Sequence, residues 1–305
     1  MSVDLFSRDH PSPQQTPGGH DRRCCAGMRT LAGAAALLSI ALMSACTSPG
    51  AEVQAAARAQ AMTIQVLPVG GLEVTAHVPA PGSSGSRWHV YLEGDGLPWW
   101  QGRVPAADPT GLRGIMPSLM AQDPAPRLLL HRPCYARARM PAGCEPGLWT
   151  DARYGEAVVA ALDSGLDRLA AEQGIQQVVL IGFSGGGTLA RLLAARRNDV
   201  VALITVSANL DHDLWSRLHG YRPLQASMRI RDTPPLPAGI LQWHLAGGAD
   251  TTVPPQVVRQ GVAHDPHARV RELEGFDHHC CWAALWPMLL EELDHALNAR
   301  PSAAH

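Results

Sequence analysis

Residues 177–188 read QVVLIGFSGGGT, and this stretch decides how the chain is expected to fold. It opens with an apolar, β-branched run typical of a buried strand and closes with small residues that can begin a helix. Between them lies GFSGG, residues 182–186, which has the pattern G-x-S-x-G. In so sharp a turn, side chains two positions either side of the serine would collide, and Gly182 and Gly186 have none. Such a turn lifts the serine hydroxyl to the carboxyl-terminal edge of a sheet, so we predict that Ser184 is a nucleophile.

A glycine-rich turn between a strand and a helix could instead bind a phosphate group at the helix N-terminus. The P-loop requires a lysine, but the sequence contains none, and all 25 residues counted as Lys+Arg are arginines. The glycine spacing also differs from G-x-G-x-x-G. The absence of lysine excludes Schiff-base chemistry and a Ser-Lys dyad as well. Close packing of the glycines, with no chemical role, stays as the simpler alternative.

Apolar runs and helical stretches alternate on both sides of this turn, which favours an α/β fold with a mostly parallel sheet. Strands are predicted over 62–67, 72–79, 88–92, 127–131, 177–182, 200–206, 240–245 and 270–273. Helices are predicted over 110–121, 151–173, 185–197, 257–263 and 281–298. Residues 208–235 have no regular periodicity.

Length and charge limit the classes of function. The chain has 305 residues, of which 46% are hydrophobic, and this suffices for one sizeable core. The formal net charge of −2 provides no strong field for nucleic acid or for an anionic membrane. We therefore expect no nucleic-acid partner.

The beginning of the chain has the layout of an export signal. Residues 28–46 read MRTLAGAAALLSIALMSAC, with an arginine, an apolar stretch over 31–43 and small residues before Cys46. The apolar stretch is too short to span a bilayer core of about 30 Å comfortably. The segment MSAC resembles the lipobox of bacterial lipoproteins, which implies cleavage before Cys46 and lipid attachment to its thiol. The alternative is an ordinary signal peptide with an incidental cysteine.

This interpretation divides the chain into segments. Residues 1–27 are an N-terminal extension upstream of a start at Met28, and 28–45 are the signal peptide. Residues 46–60 are expected to be a tether, and 61–300 the folded domain. The resemblance implies an exported protein, anchored by lipid in the bacterial cell envelope and facing the periplasm.

Export places the cysteines of the domain in an oxidising compartment. Cys134 and Cys144 flank a short loop that contains Pro and Gly, so we predict a disulfide between them. Two free thiols, or other pairings, are the alternative. Cys280 and Cys281 are adjacent, and the sequence leaves their state open.

The order of these elements around GFSGG resembles the α/β-hydrolase superfamily over residues 61–298. The resemblance implies a mostly parallel eight-stranded sheet, helices on both faces and a small cap insertion, for which 208–235 is the candidate. It also implies a serine hydrolase whose catalytic residues follow in the order serine, acid, histidine.

The resemblance places the catalytic histidine after the last strand. There the chain reads GFDHH, which points to His278 as the base, with His279 as the runner-up. The run HHCC over 278–281 suggests zinc, but successive residues on a helix point about 100° apart and cannot surround one ion. We therefore expect no metal here, and the serine chemistry that the resemblance implies needs no organic cofactor.

The acid is expected at Asp250, which follows the strand predicted over 240–245. Asp211, after the strand over 200–206, is the alternative, because a minority of such enzymes carry the acid there. Either aspartate could instead be an ordinary loop residue or helix cap.

The resemblance also implies two backbone donors for the oxyanion of the reaction. One is the N–H of Gly185 and the other is the N–H of Asp95, in EGDG over 93–96. Glu93 stands where the family often has histidine. The alternative is a turn that has Gly and Asp for conformational reasons alone. Trp99 and Trp100 follow, and they could line the substrate pocket or shield this loop.

These features imply hydrolysis of a small-molecule carboxylic ester through an acyl-enzyme intermediate. Cleavage of an amide or peptide bond uses the same machinery, and the motifs do not separate the two. A binding lipoprotein without catalytic activity is the alternative from another class of function.

Overall fold

The computed structural model describes residues 48–79, 85–112 and 114–299. The predicted extension over 1–27, the predicted signal peptide over 28–45 and the predicted lipidation site at Cys46 lie outside these residues.

Eight strands form one sheet in the order β1-β2-β6-β3-β7-β8-β9-β10, and two short strands form a separate hairpin. The strands are β1 (Thr63–Val69), β2 (Leu72–Val78), β3 (Arg87–Leu92), β4 (Trp99–Trp100), β5 (Val104–Pro105), β6 (Arg127–Leu130), β7 (Gln177–Phe183), β8 (Val200–Val206), β9 (Leu241–Gly247) and β10 (Arg269–Leu273). Only β2 runs antiparallel to its neighbours in the large sheet; the remaining pairs are parallel. The predicted eight-stranded, mostly parallel sheet is therefore confirmed.

Helices cover both faces of the sheet. They are α1 (Pro49–Ala59), α2 (Met116–Met120), α3 (Glu156–Gln173), α4 (Gly185–Ala194), α5 (His212–His219), α6 (Pro255–Gly261) and α7 (Trp282–Asn298). The apolar core on one face includes residues of α3, α4 and α6, and the core on the other includes residues of α2 and α7. No helix within the described ranges is both long and apolar enough to cross a membrane.

Strand β7 shows why its sequence has no polar side chain after Gln177. Val178 and Leu180 point into one core, whereas Val179, Ile181 and Phe183 point into the other. Side chains alternate along a strand, so a central strand with helices on both faces has no solvent-facing side.

The structure corrects the tether predicted over 46–60, because α1 is a helix that packs on the domain. The Ser48 hydroxyl caps it by accepting a hydrogen bond from the N–H of Ala51. Gly50 N–H donates to Asp108 Oδ2 at 2.9 Å, and the Gln54 side chain donates to the carbonyl of Ala136 at 2.8 Å. The segment AEVQAAARA is rich in alanine, the strongest helix former, and its small residues resembled a linker.

The helix predicted over 110–121 is shorter than expected and spans only Met116–Met120. Gly111 instead lies directly against Gly96: a Cβ at Gly111 would come within 2.9 Å of Gly96 Cα. The preceding turn is closed by Asp108, which accepts the N–H of Thr110. Residues 110–112 therefore run beside the loop that follows β3.

Two disulfides join the four cysteines in the described residues. Cys134 and Cys144 are bonded, with their Cα atoms 5.7 Å apart, so this predicted disulfide is confirmed in the structure. Cys280 and Cys281 are bonded to each other, which answers the pairing that the sequence left open.

Candidate active site

Ser184 lies at the turn between β7 and α4, with φ 51° and ψ −122°. A positive φ is uncommon for a residue other than glycine and costs about 1–3 kcal/mol, and such residues cluster at functional sites. Two hydrogen bonds to residues outside the turn hold this backbone in place. Ser184 N–H donates to the carbonyl of Val206 at 2.9 Å, and Ser184 carbonyl accepts from the N–H of Asn209 at 3.2 Å.

The glycines of the turn have no room for side chains. A Cβ at Gly182 would lie 2.4 Å from the carbonyl oxygen of Gly186. A Cβ at Gly186 would lie 2.4 Å from the carbonyl oxygens of Leu92 and Glu93. These contacts let the turn approach the end of β3 closely.

Asp250 and His278 come together at the carboxyl ends of β9 and β10. Both are buried, and Asp250 Oδ2 lies 2.8 Å from His278 Nδ1. The other carboxylate oxygen accepts the N–H groups of Thr252 and Val253, each at 2.8 Å. Since the carboxylate is fixed on both oxygens, it favours the tautomer of His278 that carries its proton on Nδ1.

The His278 ring lies next to the turn that carries Ser184. Its centroid is 4.8 Å from that of Phe183, the residue before Ser184. Among the hydrogen bonds between described residues, none joins Ser184 Oγ to His278. Such bonds are often long without substrate and shorten when it binds. Nε2 is the ring nitrogen left for that contact.

The two alternative residues lie in other surroundings. His279 is exposed, its N–H donates to Asp277 Oδ1, and its ring is 5.0 Å from that of His278. Asp211 is the N-cap of α5, and its carboxylate accepts the N–H of Leu214 at 2.9 Å. The carboxylate that faces His278 is therefore that of Asp250.

The loop after β3 lies against the serine. A Cβ at Gly94 would be 3.3 Å from Ser184 Cβ. Glu93, which stands where the resemblance often places a histidine, accepts the N–H groups of Gly94 and Met116 at 3.0 and 3.1 Å. Its burial raises the pKa of the carboxyl, an effect that these hydrogen bonds partly oppose. Glu93 thus ties the loop to the start of α2.

Asp95 is held by four side chains that sequence reasoning missed. Arg132 Nη1 lies 2.9 Å from Oδ1, and Arg153 Nη1 lies 3.0 Å from Oδ2. The Tyr154 hydroxyl donates to Oδ2 at 2.7 Å, and the Tyr135 hydroxyl donates to the Asp95 carbonyl at 2.9 Å. We call these four residues and Asp95 the Asp95 cluster. The only hint in the sequence is that an arginine precedes a tyrosine in both RPCY and ARY.

Charge explains the ionisation of this cluster. Burial alone would raise the pKa of Asp95, but Arg153, Arg132 and the Tyr154 hydroxyl outweigh it and lower the pKa to about 2. Asp95 is therefore a carboxylate at neutral pH. Its partners fix both the side chain and the backbone carbonyl of a single loop residue.

Gly185 and Asp95, the two predicted oxyanion donors, lie side by side. A Cβ at Gly185 would come within 1.9 Å of Asp95 Oδ1 and 2.7 Å of the Tyr154 hydroxyl. Among the hydrogen bonds between described residues, none uses the N–H of Gly185 or of Asp95 as donor. Neither N–H is therefore paired with another described residue.

The region proposed as a cap contains helix α5, which packs on the Asp250 loop. Trp215 Nε1 donates to the carbonyl of Thr252 at 2.7 Å, and His219 Nε2 lies 3.0 Å from the same oxygen. Residues 208–235 therefore lie beside the loop that carries Asp250. Trp99 and Trp100 form strand β4 of the hairpin and are exposed.

Among the described residues, no group of three or more His, Cys, Asp or Glu side chains is placed to hold a metal ion. His278 and Cys280 lie in the run that suggested zinc. In the structure His278 faces Asp250, and Cys280 is bonded to Cys281.

Solved structures share this architecture. Est1E from Butyrivibrio proteoclasticus is 12% identical, covers 78% of this chain and 99% of its own, and has a TM-score of 0.54. An alpha-beta serine hydrolase homologue from Coxiella burnetii is 15% identical over 77% and 97% of the two chains, with a TM-score of 0.50. Proline iminopeptidase from Mycobacterium smegmatis is 14% identical over 77% and 99%, also at 0.50.

Neither a protein-family model nor a curated protein matches the amino-acid sequence. At identities this low, the similarity of the solved structures concerns the fold alone. The chain has the α/β-hydrolase fold.

Proposed function

We propose that this chain is a serine hydrolase that cleaves a carboxylic ester. The observation that carries the proposal is the buried Asp250–His278 pair, 2.8 Å apart, beside the strained turn of Ser184. A serine hydroxyl is a weak nucleophile until a base takes its proton, and this pair provides an oriented base.

In the proposed reaction, Ser184 Oγ attacks the ester carbonyl carbon while His278 Nε2 takes the hydroxyl proton. Asp250 stabilises the imidazolium that forms. The carbonyl oxygen becomes an oxyanion and accepts the N–H groups of Gly185 and Asp95. His278 then donates its proton to the leaving alkoxide, and an acyl-enzyme remains.

Water completes the cycle. His278 removes a proton from a water molecule, the hydroxide attacks the acyl carbon, and the same two N–H groups bind the second oxyanion. When the intermediate collapses, Ser184 recovers its proton from His278 and the carboxylic acid leaves. These steps require no metal ion or organic cofactor.

The relatives in fold favour an ester without excluding an amide. Ferulic acid has been observed bound to Est1E, which supports a small ester of a carboxylic acid as substrate here. The fold also occurs in a proline iminopeptidase. Turnover of a p-nitrophenyl ester should therefore be compared with turnover of an aminoacyl p-nitroanilide. Faster cleavage of the anilide would favour the peptidase alternative.

A fluorophosphonate probe tests whether the site is catalytic at all. The folded protein should be labelled, and Ser184→Ala should abolish labelling. Absence of labelling in a protein shown to be folded by circular dichroism would favour a binding lipoprotein without catalytic activity. Labelling that persists in Ser184→Ala would place the nucleophile elsewhere.

We also propose that the protein is exported and anchored in the cell envelope by lipid on Cys46. The sequence MSAC after an apolar stretch supports this. Cells supplied with an alkyne-tagged fatty acid should incorporate the tag into the protein, and Cys46→Ser should prevent incorporation. Incorporation into the variant would contradict the assignment.

A further inference from the structure

The hairpin after the oxyanion loop carries a concentration of exposed apolar side chains. Of the ten exposed large hydrophobic residues in the described ranges, five lie between positions 97 and 112. They are Leu97, Trp99, Trp100, Val104 and Leu112, which we call the apolar rim. Trp100 is 67% exposed, Val104 59% and Leu97 56%. Soluble proteins rarely expose large apolar side chains in one place unless the surface binds something.

The backbone holds this rim outward. Leu97 N–H donates to the carbonyl of Pro109 at 2.8 Å, and Ala106 N–H donates to the carbonyl of Pro98 at 3.0 Å. The N–H of Arg103 closes the hairpin turn on the carbonyl of Trp100 at 3.1 Å. The hairpin is therefore anchored at its base and closed at its tip, and its tryptophans are displayed at the surface.

The apolar rim borders the reaction site. Leu97 is two residues after Asp95, the proposed oxyanion donor. Leu97 is also tied to the segment over 109–112 that runs beside the oxyanion loop. A surface that covers the rim would therefore lie at the edge of the site.

The described chain begins close to the hairpin that carries the apolar rim. Ser48 Oγ donates to the carbonyl of Ala138 at 3.2 Å, and Gly50 N–H binds Asp108. Asp108 is three residues after the end of β5, a separation of about 11 Å at most. The 47 residues before Ser48 contain the apolar stretch over 31–43 and Cys46. Ser48, the first described residue, is thus held near the base of the hairpin, two positions after the proposed lipidation site in the sequence.

These observations favour a lipid surface as the occupant of the rim. Tryptophan prefers the interface between lipid and water, and Leu and Val can enter the acyl region. Arg103, exposed at the tip, can reach lipid phosphate groups. The net charge of −2 provides little long-range attraction, so apolar insertion has to supply most of the binding.

We propose that the apolar rim docks on a phospholipid bilayer and that the site acts on ester bonds presented at that surface. The substrate class rests on the proposed function, whereas the docking does not. With the proposed anchor on Cys46, the rim gives the domain a second attachment and orients the site toward the lipid. One attachment alone leaves orientation free.

Fluorescence quenching tests the docking directly. The full-length, processed protein would be reconstituted in phosphatidylcholine vesicles whose acyl chains carry bromine, which quenches nearby tryptophan. The chain has eight tryptophans, so the contribution of one is obtained from Trp100→Phe, which keeps the rim apolar. We expect the quenched part of the emission to fall in Trp100→Phe and in Trp99→Phe. An unchanged quenched part in both variants would overturn the proposal.

A ratio of activities tests the substrate class. Turnover of a long-chain p-nitrophenyl ester embedded in phosphatidylcholine vesicles would be divided by turnover of p-nitrophenyl acetate in solution. Replacing both tryptophans by serine should lower this ratio about tenfold or more, because insertion of two aromatic rings is lost. The matched control is Met288→Ser, since Met288 is 54% exposed on α7 away from its buried face.

The outcomes separate the two proposals. Quenching at Trp99 and Trp100 in a protein that no fluorophosphonate labels would support docking and refute the hydrolase. Fluorophosphonate labelling without quenching of Trp99 and Trp100 would support the hydrolase and refute docking. A ratio lowered equally by Met288→Ser would refute the proposed substrate class. A dimer in detergent that Trp100→Ser dissociates would assign the rim to a second copy of this chain and overturn docking on lipid.

Discussion

The two sides of the candidate site are built in different ways. On the Asp250 side, the carboxylate is held by two N–H groups of its own loop, at Thr252 and Val253, and faces His278. On the oxyanion side, Asp95 is held by side chains 37 to 59 residues further along the chain. Local backbone holds one side, and distant side chains hold the other.

The difference reflects what each side has to fix. The acid works through its side chain, and a short loop closed on its own N–H groups suffices to orient a carboxylate. The oxyanion loop works through a backbone N–H, whose direction depends on the whole loop. The Glu93 side chain fixes the start of that loop. Two residues later, the arginines and tyrosines of the Asp95 cluster fix Asp95. Preorganised donors are effective because they do not move when the charge forms.

The largest expected effect is on the base. His278→Ala should lower kcat/KM for a p-nitrophenyl ester by about 10⁴–10⁶, since Ser184 then lacks a proton acceptor. His279→Ala is the matched control, because His279 is exposed beside the same ring, and it should retain most activity. The opposite ranking would mean that His279 is the base and that the Asp250 contact is only structural.

The acid comes next. Asp250→Asn should lower kcat by about 10³–10⁴, because an amide holds the wrong tautomer of His278 and cannot stabilise its cation. Asp211→Asn should change neither turnover nor stability much, since Asp211 is the N-cap of α5 and asparagine caps a helix about as well. Steady-state kinetics together with a urea melt separate the two. Comparable loss of kcat in both variants would contradict the assignment.

A smaller effect is expected on the oxyanion side. Tyr135→Phe removes the hydrogen bond to the Asp95 carbonyl, worth about 1 kcal/mol, so kcat should fall about five- to tenfold with little change in KM. Tyr91→Phe is the control, because it removes a buried bond to Asp123 elsewhere in the fold. Equal loss of kcat in the two variants would show that Tyr135 acts only through stability.

The smallest effect concerns acid stability. The pKa of Asp95 is lowered from 3.8 to about 2, so its charged form stabilises the fold at higher pH. That contribution should be complete above about pH 4 and should be lost as the pH falls toward 2. The midpoint of urea unfolding should fall across this range less steeply in Asp95→Asn than in the parent. Asp294→Asn, at an exposed ion pair with Arg87, should follow the parent.

The sequence predicted the features that depend on local sequence patterns. The eight strands, the turn at Ser184 and the Cys134–Cys144 bond follow from apolar runs, glycine spacing and a short loop. The predicted pairing of Asp250 with His278 came from resemblance, and the structure brings these residues together.

Contacts between residues far apart in the chain could not be predicted from the sequence. The arginines and tyrosines around Asp95 meet it only once the chain has folded. Their spacing in the sequence therefore follows no motif that would predict these contacts. Helix α1 was missed for another reason. An alanine-rich segment has few large apolar side chains, so it lacks the periodic pattern that predicts a packed helix. Its docking also depends on partners far along the chain, such as Asp108 and Ala136.

The pairing of every described cysteine restricts where an acyl group can be trapped. Cys134, Cys144, Cys280 and Cys281 have no thiol to offer, although the last two follow His278 closely. An acyl group captured on the described domain therefore cannot be held as a thioester. Neutral hydroxylamine, which releases thioesters readily, should leave such an adduct in place, and a mass spectrum of the trapped protein would display the difference.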